Sequence, residues 1–100
     1  MDLYLILSKR EWEQVKDLEF YGEEVLKHEE FIHCATLDTY EWVINVFYGG
    51  ESELVIAVFD SELISSPIKY ETARRHPGLF PHVYGPMNMS ALKYTKNFVK

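Results

Sequence analysis

The sequence predicts an α+β domain in which helices come early and strands late, and three observations carry that class. "ELVIAVFD" at 53–60 is a β-branched run bounded by turn residues, the clearest strand in the chain. Tyr40, Val43, Val46 and Phe47 recur at three- and four-residue spacing, the mark of a helix with one buried face. A length of 100 residues, 47% hydrophobic and 15% aromatic, gives one globular core with no room for a second, so residues 1–100 form a single domain.

The remaining elements follow in order. "LYLILS" at 3–8 reads as a short, largely buried strand. Ser8 followed by Glu11 is a capping box and opens a helix from about Lys9 to Asp17, with Trp12 and Val15 on its inner face. Tyr21-Gly22 breaks that helix, and Glu23 to Glu30 supplies another helical turn or two. "EFIHCAT" at 30–36 is strand-like, Ile32 and Cys34 alternating against Phe31 and His33. Thr36 or Asp38 then caps the helix to Phe47, which Gly49-Gly50 ends. "SELISSP" at 61–67 reads as a turn, "IKYE" at 68–71 as a short strand and "TARRHPG" at 72–78 as a loop. "LFPHVYGPMNM" at 79–89 shows neither a helical nor a strand period. "MSALK" makes one helical turn and "YTKNFV" at 94–99 a closing strand. The expected order is β-α-(α)-β-α-β-β-β-β.

The formal net charge is −6, which leaves no general basic surface for a nucleic-acid polymer. Positive residues cluster locally in Lys69, Arg74 and Arg75 and in Lys93, Lys96 and Lys100, where a small anionic ligand could sit. One cysteine, Cys34, excludes an internal disulfide and a multi-cysteine zinc site, and favours a reducing compartment. The opening "MDLYLILSKREW" is too short for a membrane span and lacks the charged start of a signal peptide, so a soluble cytoplasmic protein is expected.

Several residues carry candidate chemistry. His33 reads as a strand-borne ligand-binding histidine or as a core histidine bonded to backbone, and the segment alone favours the second. Cys34 alternates away from it, which argues against a Cys-His nucleophilic pair. His28, His33, His76 and His82 are too loosely spaced for a metal site, and no metal is expected. Gly49-Gly50 matches no phosphate-binding loop. Tyr70, Glu71, Arg74, Arg75 and His76 mix guanidinium with an acid or base, or form a charged surface loop. Pro81-His82-Val83-Tyr84-Gly85-Pro86 points furthest toward function. Its prolines fix φ on either side of two hydrogen-bonding rings that share a face in an extended segment.

Taken together, "FIHCAT" and "FPHVYGP" resemble the two signature segments of the uncharacterised bacterial family catalogued as domain of unknown function 952. The resemblance covers nearly the whole chain. It implies a split, mostly antiparallel β core with two to three helices, similar to the ADP-ribosyltransferase fold. In that superfamily an early-strand histidine followed by a small residue and Thr or Ser holds NAD, a role that would fall to His33 and Thr36. The expectation is a nucleotide-like ligand (NAD, ADP-ribose or a phosphorylated nucleotide) between the two segments. His33, Thr36, Arg74, His82 and Tyr84 would bind it, with Glu71 and His33 as catalytic candidates. NAD would be ligand or substrate, and no other cofactor is expected. The alternative is a non-catalytic protein-interaction module using the exposed aromatics and Met87-Asn88-Met89.

Overall fold

The computed structural model describes residues 1–73 and 76–99, the side chain of Pro77 excepted. The described chain is an α+β domain of antiparallel sheets and three helices. Strand β1 (Asp2–Ser8) leads into α1 (Lys9–Val15), the two-residue β2 (Phe20–Tyr21) and α2 (Glu23–Leu26). Then come β3 (Ile32–His33), α3 (Tyr40–Phe47) and β4 (Glu53–Asp60). The chain closes with β5 (Ile68–Ala73), β6 (His76–Val83), β7 (Met87–Asn88) and β8 (Leu92–Val99). Single 3₁₀ turns occupy Ser61–Leu63 and Met89–Ala91.

Strand β4 is central in a sheet ordered β1-β4-β8, and β6 is central in a sheet ordered β3-β6-β5; β2 and β7 form a small third pair. Strand β1 has no solvated face. Leu3, Leu5 and Leu7 join Ala57, Phe59, Ile32, Val83 and Met87 in one cluster. Tyr4 and Ile6 join Ile56, Val58 and Ile44 of α3 in another. A strand covered on both sides reads as an unbroken apolar run, which is why "LYLILS" shows no alternation.

The first turn of α1 is held as the capping box requires. Ser8 Oγ accepts from the Glu11 amide at 3.1 Å, and Glu11 returns a carboxylate oxygen to the Ser8 amide at 3.0 Å. Trp12 and Val15 pack inward as expected, although the helix stops at Val15 rather than Asp17. Helix α3 begins after Thr39, not after Thr36 or Asp38. Thr39 Oγ1 turns back to accept from the Thr36 amide at 2.9 Å, so these two threonines close the turn that precedes the helix.

The stretch expected to be irregular is largely strand. Strands β5 and β6 form a hairpin in which Ile68 opposes Val83 and Glu71 opposes Phe80, so the loop expected at 72–78 gives up its described ends to pairing. The period of two is present in Phe80, His82 and Tyr84 against Pro81 and Val83, but prolines at 77, 81 and 86 mask it, because proline is an unusual strand residue. Strand β8 starts at Leu92, ahead of the expected 94, with an irregularity in β4 between Val58 and Phe59.

Pro81 explains how the core comes to be split. Its carbonyl accepts from the Cys34 amide at 3.0 Å, but proline has no N–H with which to return the bond. Pairing of β3 with β6 ends there, and the next residue, Ala35, leaves for the other sheet. It exchanges two 2.8 Å hydrogen bonds with Tyr4 of β1. The two three-stranded sheets are thus joined through β3 and open on one side of it.

Gly85 makes the turn after β6 at φ +144°, and a Cβ there would lie 2.6 Å from Ser66 Oγ. Ser66 cannot simply move aside, since its hydroxyl donates to the Pro86 carbonyl at 2.7 Å. Gly85→Ala is expected to destabilise the domain by about 1–3 kcal/mol, read as a lowered urea midpoint at unchanged slope.

Candidate functional site

The register of β3 on β6 builds the site. Ile32 opposes Val83 and both enter the core, 1% and 0% exposed, so the next pair, His33 opposite His82, emerges on the other face. Alternation brings Phe31 and Phe80 to that same face. Opposite stand Tyr4 and Ile6 of β1 and Trp42, Val43 and Phe47 of α3. Between them lies a cavity of about 740 Å³ with His33 and His82 in its wall.

His82 is the most constrained polar group. It is 7% exposed, with Nδ1 2.8 Å from Glu71 Oε1. The Tyr84 hydroxyl donates to that same oxygen at 2.6 Å. The Phe31 ring stacks on the imidazole, centroids 4.0 Å apart and planes 22° from parallel. His33 meets His82 edge-on at 5.2 Å and leans on Phe31 at 4.7 Å. The Lys69 ammonium lies over the Tyr84 ring, 4.7 Å from its centre. The result is a carboxylate–imidazole pair braced by a phenol and a stacked ring. In the neutral imidazole a carboxylate at Nδ1 selects the tautomer with its proton on that nitrogen, which makes Nε2 the acceptor.

The electrostatics follow from these contacts. Hydrogen bonds from Tyr84 and then His82 hold the Glu71 carboxyl below its ordinary range, and the hydrogen bond to Glu71, with desolvation next, pushes the Tyr84 phenol up to about 12. Desolvation, and next the facing His82, lowers the His33 imidazole, with Glu29 opposing. Both lowered groups bind fewer protons folded than unfolded, so their contribution is complete above the unfolded pKa and lost as pH falls through the folded one. Melting temperature is therefore expected to fall in two stages on acidification, first below about pH 6.5 from His33 and then below about pH 4.3 from Glu71. His33→Asn should remove the first stage and Glu71→Gln the second in thermal melts across that range.

The expected site residues separate into three groups. His33 and His82 line the cavity, while Glu71 and Tyr84 stand behind His82 and reach the site through it. Thr36 is drawn into the turn before α3, its hydroxyl 3.0 Å from that of Thr39, and it does not line the cavity. Arg74 and Arg75 lie outside the described residues. Among the described residues, no group of three or more His, Cys, Asp or Glu is placed to hold a metal, and no helix is long and apolar enough to cross a membrane.

Cys34 turns into the core away from His33, its sulfur 3.9 Å from that of Met87, and burial pushes the thiol up to about 12. Native protein at about pH 8 should alkylate with iodoacetamide at least about 100-fold more slowly than protein unfolded in guanidinium, followed by mass spectrometry.

Sequence reasoning passed over the aromatic wall. Trp42 faces Phe80 at 5.7 Å, Phe47 at 6.0 Å and His76 at 4.9 Å. The available signal was Trp42 itself, a large ring off the core stripe of its own helix, together with Phe31 and Phe80, each two residues from a candidate histidine.

No curated protein matches the chain. The crystal structure of protein CC0527 from Caulobacter crescentus is similar at 26% identity and a TM-score of 0.82, covering 97% of this chain and 85% of that one. The solution NMR structure of CC0527 is similar at 28% identity and a TM-score of 0.71, over 95% and 82% of the two chains. Residues 6–94 match the family described as "Protein of unknown function (DUF952)", and the chain belongs to that family.

Proposed function

We propose that this protein binds a nucleotide-like ligand (NAD, ADP-ribose or a phosphorylated nucleotide) in the cavity between "FIHCAT" and "FPHVYGP", and acts on it in the cytoplasm. One observation carries the reading: an aromatic-walled cavity of about 740 Å³ that contains a histidine oriented by a carboxylate. Flat rings of Trp42 and Phe80 offer a stacking surface to a planar heterocycle, and His33 and His82 offer hydrogen bonds beside it. An imidazole with one nitrogen on a carboxylate and the other bare is a general base in form. In this reading His82 moves the proton, and Glu71 is the positioning residue behind it. The split antiparallel core supports an ADP-ribosyltransferase-like ancestry, although fold analogy alone is a weak warrant for chemistry.

The alternative of a protein-interaction module needs Met87-Asn88-Met89 at the surface, yet Met87 is fully buried in the core and Met89 packs against it. Polar groups converging in a concavity favour the ligand reading. The test is ligand-observed NMR with NAD, ADP-ribose and AMP, using His33→Ala as control because His33 is exposed and its loss spares the core. Saturable binding weakened at least about tenfold in the variant is expected. Absence of saturable binding by all three would overturn the proposal.

A further inference from the structure

Resting on the nucleotide-pocket reading, we infer that the cavity selects the nucleoside end of its ligand, a flat ring with a hydroxyl delivered to His82 Nε2, and leaves the phosphates outside. The described lining contains no Lys, Arg, Asp or Glu side chain. Its polar groups are His33, His82, Thr72, the tyrosines at 4 and 48, the Trp42 indole N–H and the weakly polar Cys34 thiol. A phosphate lodged among them would be desolvated without a counter-charge from any described lining residue, which is unfavourable in a low-dielectric site.

Neutral imidazoles do not supply that charge. In the neutral His82 imidazole the Nδ1 proton is directed at the Glu71 carboxylate directly behind it, so the ring presents a lone pair at Nε2. Desolvation in the cavity wall disfavours the charged form of the His33 imidazole. Among the described residues Lys69 is turned onto the Tyr84 ring, and Lys96 donates to the Tyr40 hydroxyl at 3.1 Å. A bare acceptor backed by a carboxylate repels an anion and takes a donor, and a ribose hydroxyl is such a donor. The surrounding rings of Phe31, Trp42, Phe47 and Phe80 accept a flat heterocycle, and a cationic one equally well.

The experiment compares adenosine and nicotinamide riboside with their 5′-monophosphates, with 2′,3′-dideoxyadenosine and with inorganic pyrophosphate. Binding is read by ligand-observed NMR on the wild-type chain, so no variant has to fold. Each nucleoside is expected to bind within about threefold of its monophosphate, and the dideoxy analogue about tenfold more weakly than adenosine, for the loss of one buried hydrogen bond. Pyrophosphate should not compete. Binding confined to phosphorylated compounds, or competition by pyrophosphate, would overturn the inference and leave the nucleotide pocket standing. Equal binding of adenosine and its dideoxy analogue would remove the hydroxyl from it. Failure of nucleosides and nucleotides alike would overturn both this inference and the pocket.

Discussion

Phe59→Ala is expected to lower stability by about 3–5 kcal/mol, enough to bring a 100-residue domain near unfolding at physiological temperature. Phe59 is fully buried on the central strand β4, opposite Leu3 of β1 and in one cluster with Ile32, Val83 and Met87. Truncation removes a ring's worth of transfer free energy and leaves a cavity where two sheets and the small β2–β7 pair converge. Ile32 and Val83 are the residues beneath the two histidines, so the loss is felt at the site as well as in the melt. The midpoint should fall by at least about 15 °C. Phe59→Leu, which removes far less volume than the alanine substitution, should cost less than half as much. Equal losses for the two variants in calorimetry would mean that packing at this point does not limit stability.

The same core shows what could be read from the sequence and what could not. Strand β4 and the capping box at Ser8 were legible because each is a local pattern that matches its structure. The expected stripe of α3 held at Tyr40 and Val43 but missed the buried Ile44 and included the exposed Phe47. The 76–83 strand was not, because a backbone pattern was concealed by proline. Pro81 lies on a central strand where its ring should be excluded, and it is accommodated because pairing with β3 stops at that residue. Thr36 shows the opposite failure. Its position after a strand histidine looked like a ligand-binding pattern, while the structure uses the hydroxyl to close a turn with Thr39, a contact between neighbours that either reading allowed. The convergence of "FIHCAT" with "FPHVYGP" was legible as an expectation, but which residue faced which was not. That depends on register, and a slip of β3 by one residue would have turned His33 into the core and Ile32 out of it.

His82→Ala is expected to weaken binding of NAD or adenosine by about 100-fold while costing about 1–3 kcal/mol of stability. The side chain serves the site in two ways. It lines the cavity, and its ring is the surface on which Phe31 stacks at 4.0 Å. Removing it takes away the acceptor and frees Phe31 to close over the opening, which separates this variant from the milder His33→Ala. Glu71→Gln is the informative companion. A glutamine carbonyl can still accept from Nδ1 and from the Tyr84 hydroxyl, so the geometry survives while the negative charge behind the imidazole is lost. If Glu71 acts through His82, this variant keeps its binding within about tenfold of wild type but loses the preference for the tautomer with its proton on Nδ1, a change that a merely structural carboxylate would not produce. Heteronuclear NMR of the imidazole nitrogens reads the same thing directly, with Nε2 unprotonated in the wild type. A His82→Ala protein that folds and binds at wild-type affinity would reduce the Glu71–His82–Tyr84 cluster to a brace for the β5–β6 hairpin and move the ligand to the aromatic end of the cavity, against Trp42 and Phe80.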